Sequence, residues 1–279
     1  MRHIDPTIDY IATHLANTSE GTVLSDRTAG QLWGLWIPQF DGVEITTPAT
    51  ERGSRYTTSV QNKLVTAHRR ALAPEDITEH NGLPITTIER TWIDLAGHLD
   101  IYDLIAAGDS ALRSGASQPE LAARVAALQR SRGAVRARAA VGLLDPRSRS
   151  RPESRIRGAI ILGGLPEPSV NEPIYDRFGG WLAEPDLHYK EARVAIEYNG
   201  EDHAKVTRMR KDSVRTLDMQ REDWEIRIYT APHAYVRLDE VVSDVYELLR
   251  KRAPQLLVAT RLSRRVTHLE DGRRRKRRL

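Results

Sequence analysis

Residues 181–200, with the sequence WLAEPDLHYKEARVAIEYNG, determine the predicted fold of the second half of the chain. This stretch contains two strand-like runs, 181–189 and 193–199, separated by a short polar segment. If residues 191–192 form a two-residue turn, the numbers of paired residues sum to 383 and Asp186 lies opposite Glu197. Glu-Ala is not typical turn chemistry, so a register shifted by one residue stays open.

Asp186 and Glu197 are acids inside otherwise apolar strands. Like charges opposed across a strand pair destabilise it. A folded chain therefore keeps such a pair on a solvated face, shares a proton between the two acids, or holds a divalent cation there. On these two residues alone, the solvated face stays an open alternative. Carboxylates without cysteine favour a hard ion such as Mg²⁺, with Mn²⁺ as a substitute.

Three further residues extend this candidate site. Asn199 lies on the same strand face as Glu197, His203 follows in the next loop, and Glu153 begins the preceding helix. Metal-holding carboxylates, a proton-shuttling histidine and cations for phosphates are the parts of metal-assisted phosphodiester hydrolysis. The cations predicted to contact DNA are Arg149, Arg151, Arg155, Lys205, Arg208, Lys211 and Arg215.

The pattern around these residues predicts an α/β domain with the order α-β-β-β-α-β-α, in which a mixed sheet is flanked by helices. The first half of the chain has short β-prone runs and capped helices, which indicate a smaller α+β domain and a helical connector. The predicted organisation is an α+β domain over 1–100, the connector over 101–147, the α/β domain over 148–255 and a basic tail over 256–279.

Composition excludes several classes of protein. The chain has 279 residues and no cysteine, so disulfide frameworks and thiolate sites are excluded. It has neither a membrane-length apolar stretch nor a signal peptide, so we expect a cytoplasmic protein without membrane partners. The net charge of +4 hides a belt over 124–157 with ten arginines against Asp145 and Glu153, and a basic tail. Either region contacts polyanions or is merely solvated.

Residues 150–252 resemble the Vsr-like (very-short-patch-repair-type) endonuclease domain of the PD-(D/E)XK nuclease superfamily. The stretches that carry the resemblance are Arg151-Pro-Glu-Ser154, Gly164-Leu-Pro166, Pro185-Asp186, Val194-Ala-Ile-Glu-Tyr-Asn-Gly200 with His203, and Lys211-Asp212 with Arg215. The resemblance implies a restriction-endonuclease-like fold with Asp186 as the central Mg²⁺ ligand and Glu197 as the second acid. It also implies that Glu153 supports the metal or its water and that His203 transfers protons.

One position departs from that family pattern. The superfamily's Glu-x-Lys becomes Glu197-Tyr198-Asn199, and relatives of this type usually have Asp at the third position. An amide oxygen can coordinate a cation or orient water, but an amide cannot act as a base. The departure bears on the rate of cleavage and on whether the domain cleaves at all.

Residues 22–115 resemble the AbiEi-type antitoxin family. The matching stretches are Val23-Leu-Ser-Asp-Arg27, Leu32-Trp-Gly-Leu35 and Gly82-Leu-Pro-Ile-Thr-Thr-Ile-Glu-Arg-Thr-Trp-Ile-Asp-Leu95. Members usually begin with a winged helix-turn-helix. Only about twenty residues precede the match here, so no winged helix is evident.

The sequence therefore predicts a metal-dependent endodeoxyribonuclease, an endonuclease or nickase of repair, restriction or defence that acts on double-stranded DNA. Paired nicks would require a homodimer. Asn199 and the AbiEi-like half favour the alternative of a non-catalytic DNA-binding regulator on a degenerate nuclease fold. RNA as the substrate is a third possibility, because basic patches do not distinguish the two polymers.

Overall fold

The chain divides into two units, Met1–Pro146 and Arg147–Leu279. The computed structural model describes residues 21–48, 55–60, 63–129, 133–200, 215–258, 260 and 262–263. The helix predicted over 7–17 and the basic tail beyond residue 263 lie outside these ranges. None of the helices in the described part of the chain combines the length and apolar character needed to cross a bilayer.

The first unit contains one mixed six-stranded sheet and five helices among its described residues. The strands are Val23–Leu24 (β1), Val43–Thr47 (β2), Arg55–Val60 (β3), Lys63–Arg69 (β4), Ile77–His80 (β5) and Leu83–Thr86 (β6). The helices are Asp26–Leu32 (α1), Ile88–Leu95 (α2), Ile101–Arg113 (α3), Gln118–Ala127 (α4) and Ala134–Val141 (α5). The strand order is β3-β4-β2-β1-β6-β5. Strand β2 runs parallel to β4, and β1 runs parallel to β6.

The two faces of this sheet differ in chemistry. Val43 and Ile45 of β2 pack with Val65 and Ala67 of β4 in the apolar core of the unit. Successive strand residues point to opposite faces, so the residues between them form a polar face. That face carries Glu44, which is fully buried.

Turns and caps account for most of the element boundaries in the first unit. Asn81 and Gly82 have φ values of +52° and +79°, as the predicted tight turn between β5 and β6 requires. Helix α1 ends at Leu32, because Gly34 adopts a φ of +70°. The side chain of Thr87 caps α2 by accepting a hydrogen bond from Arg90 N.

Residues 101–146, predicted as most of a connector, belong to the first unit. The indole nitrogen of the fully buried Trp92 donates to the carbonyl of Leu104 at 3.0 Å, which ties α2 to α3. Asp109 on α3 accepts from the backbone nitrogen of Asp145 at 2.7 Å and holds the end of the unit. Helix α4 ends at Ala127 and α5 at Val141, earlier than the predicted ends near 131 and at Leu144.

The second unit contains a four-stranded mixed sheet, a separate two-stranded hairpin and four helical segments among its described residues. The strands are Ser169–Val170 (β7), Ile174–Tyr175 (β8), Trp181–Ala183 (β9), Leu187–Tyr189 (β10), Val194–Tyr198 (β11) and Glu225–Tyr229 (β12). The helices are Arg151–Leu162 (α6), residues 215–221 (α7), Ala231–Tyr235 (α8) and Leu238–Arg252 (α9). The sheet order is β12-β11-β10-β7, with only β11 and β12 parallel.

The predicted strand register is confirmed. Leu187 pairs with Ile196 and Tyr189 with Val194, so paired numbers sum to 383. Asp186 and Glu197 are the next residues beyond this ladder. A mixed α/β unit with its sheet flanked by helices is therefore confirmed, whereas the restriction-endonuclease-like arrangement stays a prediction.

Two predicted strands are each divided in the structure. The run 169–175 separates into β7 and β8, because Asn171 adopts a φ of +49° and Pro173 cannot donate to a ladder. The run 181–189 separates into β9 and β10 at Glu184–Asp186, where Pro185 has no N–H to donate. Asp186 is consequently in a break between two strands and not inside one.

The close packing of α2 and α3 predicts an unusual effect of adding a methyl group. A Cβ on Gly108 would lie 2.8 Å from Leu144 Cδ1 and 2.8 Å from the Trp92 indole nitrogen. Although alanine favours helices, we expect Gly108→Ala to lower the free energy of unfolding by about 1–3 kcal/mol through overpacking. Urea unfolding followed by tryptophan fluorescence measures this loss.

Gly142→Ala is the matched control, because a Cβ at Gly142 meets no heavy atom within 4 Å. Its midpoint should stay at or slightly above the wild-type value. Equal stability of the Gly108→Ala and wild-type proteins would contradict the packing described for α3.

Candidate functional site in the second unit

Asp186 is the centre of the acidic group that the sequence predicted. Its Oδ2 accepts a 2.7 Å hydrogen bond from the backbone nitrogen of Tyr198, the residue after Glu197. This contact extends the link between the two strands beyond the last ladder pair. The Asp186 side chain is therefore held against the end of β11, in a partly buried position.

Glu153 lies buried in the first turn of α6 and caps that helix. Its Oε1 accepts from Ser150 Oγ at 2.6 Å, and its Oε2 accepts from the backbone nitrogen of Arg149 at 2.9 Å. Ser150 Oγ in turn accepts from Glu153 N. Ser150 is the N-cap of α6, and Glu153 accepts hydrogen bonds from the Ser150 hydroxyl and from the backbone of the residue before it, so part of the hydrogen-bonding capacity of the Glu153 carboxylate is used at the start of its own helix.

Asn171 connects Glu153 to Asp186, and the sequence analysis did not identify it. The Asn171 side-chain nitrogen donates to Glu153 Oε2 at 3.2 Å, and its backbone nitrogen donates to the carbonyl of Asp186 at 2.9 Å. Its positive φ value turns the chain at this point. A non-glycine residue in a left-handed conformation is a signal visible in the structure but not in the sequence.

Glu197 faces the same region from β11. Its Oε2 lies 3.1 Å from a guanidinium nitrogen of Arg215, at the start of the described part of α7. Both side chains are partly exposed, at 20% for Glu197 and 31% for Arg215. Arg215 was predicted to contact DNA, and Glu197 was predicted to bind the metal. The structure brings these two side chains into direct contact.

The electrostatics of Asp186 reflect this crowding. Burial and the negative charges of Glu153 and Glu197 raise the pKa of Asp186 to about 7, against an ordinary value of 3.8. The Tyr198 N–H and the Arg215 charge act in the opposite direction without cancelling the rise. A carboxyl group that holds its proton to near neutral pH marks a site with too little positive charge.

The other predicted cations are arranged less favourably for DNA contact. Arg149 is exposed and forms an ion pair with Glu184. Arg151 lies 5.1 Å from the ring centroid of Tyr235. The prediction that Arg155 contacts DNA was wrong, because this residue is only 4% exposed and its Nε donates to the carbonyl of Ala234.

Asn199 is the remaining predicted site residue within the described ranges. Asn199 is exposed, and its backbone nitrogen donates to the carbonyl of Tyr229 at 2.8 Å. The predicted residues that lie outside the described ranges are His203, Lys205, Arg208 and Lys211.

Several arginines of the belt contact other parts of their own unit. Arg124 and Arg136 belong to the first unit, where Arg124 pairs with Asp76 and Glu120 and Arg136 donates to the carbonyl of Leu99. In the second unit Arg157 is fully buried and lies 3.6 Å from Glu167 Oε1. The guanidinium groups of these three arginines therefore serve contacts within the protein.

A second group of metal-ligand side chains lies in the first unit, where the sequence analysis proposed none. Asp26, Glu44, His68 and His98 each offer one ligand atom, and these atoms all lie within 4.8 Å of one another. Among the described residues, no other set of three or more histidines and acids meets this spacing. The second-unit acids do not converge as closely, so this group is the one best placed to hold a metal ion.

Comparison with known proteins gives relatives but no activity. No family model matches the chain. Two proteins of Mycobacterium tuberculosis, Uncharacterized protein MT2308 and Uncharacterized protein Rv2248, are each 33% identical over 138 residues, which are 49% of this chain and 51% of the relative. The chain thus spans about half the length of the curated relatives it matches. No solved structure matches.

The raised pKa of Asp186 predicts a specific dependence of stability on pH. Between the ordinary pKa of 3.8 and the folded value of about 7, the folded state holds the additional proton. The wild-type protein therefore loses stability as the pH rises through this window. Asp186→Asn, which keeps an acceptor for Tyr198 N, should be more stable than wild type by about 1–3 kcal/mol near pH 8.

Thermal unfolding of both proteins across this pH range measures the effect, and NMR titration of the Asp186 carboxyl carbon gives the pKa itself. The difference between the two proteins should disappear toward about pH 4. Glu191→Gln, an exposed acid in the β10–β11 turn, is the control and should leave the pH profile unchanged. An Asp186 carboxyl that titrates at its ordinary pKa would rule out the crowding described here.

Proposed function

We propose that the second unit is a Mg²⁺-dependent endonuclease or nickase that hydrolyses phosphodiester bonds of double-stranded DNA in the cytoplasm. The observation that carries this proposal is the position of Asp186 between Glu153 and Glu197, with its pKa raised by burial and by both charges. An arrangement of acids that lacks positive charge is stabilised by a divalent cation.

The donor set fits a hard cation. Asp186 and Glu197 offer carboxylate oxygens, the ligands that Mg²⁺ prefers, and Mn²⁺ accepts the same ligands. Glu153 is a supporting acid, since Ser150 and Arg149 N already occupy its two oxygens. Bound Mg²⁺ would polarise the scissile phosphate and lower the pKa of a bound water. Binding of the cation would release the proton that Asp186 holds near neutral pH.

The residues around the acids have separate proposed roles. Arg215, 3.1 Å from Glu197, would contact a phosphate oxygen beside the metal. His203, outside the described ranges, is the proposed proton donor to the leaving oxygen as the attacking water forms the new bond to phosphorus. Asn199 would orient that water through its amide oxygen but cannot take its proton.

Exposed aromatic side chains near the acids favour a nucleic-acid partner. Tyr175, Phe178 and Trp181 on the β8–β9 hairpin are 55%, 86% and 61% exposed. Bases that leave the helical stack can pack on such rings. Trp181 is five residues before Asp186 in the chain, which brings this hairpin into the sequence neighbourhood of the proposed metal site.

One observation favours a second candidate function. Asn199 is exposed and occupies the position at which members of the Vsr-like family usually have Asp. Because an amide cannot act as a base, the domain would bind DNA without cutting it. This regulator would bind DNA in a salt-sensitive manner and without metal dependence.

Cleavage of supercoiled DNA, with and without a mismatch, separates the two functions. We expect nicking with Mg²⁺ or Mn²⁺, none with EDTA, and a loss of at least about a hundredfold in rate for Asp186→Asn, because the central ligand charge is removed. The rate should also rise with pH through about 7 as Asp186 loses its proton.

Glu191→Gln is the matched control, an acid-to-amide change in the same hairpin but outside the acidic group, and it should cleave as wild type does. Retained nicking in Asp186→Asn would contradict the proposal. DNA binding by the wild-type protein without any metal-dependent cleavage would establish the regulator instead.

A further inference from the structure

We propose that the first unit holds a divalent transition-metal ion of the Zn²⁺ class, bound by Asp26, Glu44, His68 and His98. This site is independent of the nuclease proposed for the second unit. The four residues come from four places in the chain, namely the start of α1, strand β2, strand β4 and the loop after α2. Convergence of ligand types from separate elements is what a preformed metal site requires.

The polar face of the six-stranded sheet explains the convergence. Glu44 on β2 projects opposite to the core residues Val43 and Ile45, and His68 lies on the neighbouring strand β4, paired with Thr46. Asp26 follows β1 after Ser25 and has a φ of +52°, a left-handed conformation at the turn from the strand into α1. His98 closes the group from the loop after α2.

The four candidate ligand atoms lie within 4.8 Å of one another, and some of the distances between side chains of the group are close to those of tetrahedral coordination. His98 Nε2 lies 3.0 Å from Asp26 Oδ1, and His68 Nε2 lies 3.4 Å from Glu44 Oε1 and 3.7 Å from Asp26 Oδ2. Metal–ligand bonds of about 2.0–2.2 Å place tetrahedral ligands about 3.3–3.6 Å apart. The ring atom His68 Nε2 is buried and has no hydrogen-bond partner among the described atoms, so it can serve as a ligand.

Neighbouring arginines orient the two carboxylates. Arg27 donates through its side chain to both oxygens of Glu44 and through its backbone nitrogen to Glu44 Oε2. Arg70 and Ser25 contact Asp26 Oδ2. Hydrogen bonds of this kind fix the rotamers of ligating carboxylates in metal sites.

The competing account is a closed network of ion pairs with no metal. The linked contacts include five acids and four arginines; these are Asp26, Glu44, Asp76, Asp94 and Glu120 with Arg27, Arg70, Arg90 and Arg124. His68 and His98 belong to the same network, because their ring nitrogens lie between 3.0 and 4.0 Å from carboxylate oxygens of Asp26 and Glu44. A network closed in this way would retain no Zn²⁺ or Co²⁺, so metal retention separates the two accounts.

Ligand chemistry selects the ion. Two imidazoles and two carboxylates are typical of Zn²⁺ and related transition metals, whereas Mg²⁺ prefers oxygen ligands and retains several waters. Four protein ligands at tetrahedral spacing are typical of a structural zinc site. We therefore expect the ion to stabilise the first unit.

The test uses the full-length protein, stripped with EDTA, incubated with ZnCl₂ or CoCl₂ and passed through gel filtration. Elemental analysis should find one metal ion per chain in the first unit, and Co²⁺ should give the intense visible bands of tetrahedral coordination. Zn²⁺ should raise the unfolding temperature, since it binds only the folded state. His68→Gln and His98→Gln should each weaken binding by at least about tenfold.

Two controls locate the ion. His80→Gln removes an imidazole of the same unit that lies outside the group, with its ring centroid 4.5 Å from that of Trp33. This variant should bind the metal ion as the wild-type protein does. Asp186→Asn should also retain the ion, which separates this site from the proposed nuclease centre. The proposal is overturned if the wild-type protein retains no Zn²⁺ or Co²⁺, a result that does not depend on whether the histidine variants fold. It is also overturned if a folded His68→Gln variant binds the metal as tightly as wild type does.

Discussion

The antiparallel pairing of β10 and β11 is the constraint on which the proposed nuclease centre depends. Its register places Asp186 and Glu197 just beyond the last paired residues, and the Tyr198 N–H then holds the Asp186 carboxylate in place. The first turn of α6, capped by Ser150, adds Glu153 from another direction, and Asn171 joins Glu153 to Asp186. The resulting concentration of negative charge is unfavourable in the free protein and becomes favourable when a cation is bound.

The predicted register of β10 and β11 is confirmed, because it follows from a short turn between two strands that are adjacent in the sequence. Asn171 was missed because its role arises from a left-handed turn. The placement of the arginine belt was also missed, since composition does not tell whether a guanidinium faces water or, like Arg157, the protein interior.

The group of Asp26, Glu44, His68 and His98 in the first unit could not be predicted from local sequence patterns. Its members lie up to 72 residues apart in sequence, so no local spacing relates them, and only the parallel pairing of β2 with β4 and the loop after α2 bring them together. One signal was present: Glu44, like Glu197, is an acid between apolar strand residues. Such an acid predicts a polar partner on that face, but the partner cannot be identified until the sheet order is known.

The central claim, that the second-unit acids bind a divalent cation, is tested most directly by paramagnetic NMR. With the first unit loaded with Zn²⁺, a small amount of Mn²⁺ should broaden the backbone signals of Glu153, Asp186 and Glu197, and excess Mg²⁺ should restore them. Undiminished signals at Asp186 and Glu197 in the presence of Mn²⁺ would contradict the account.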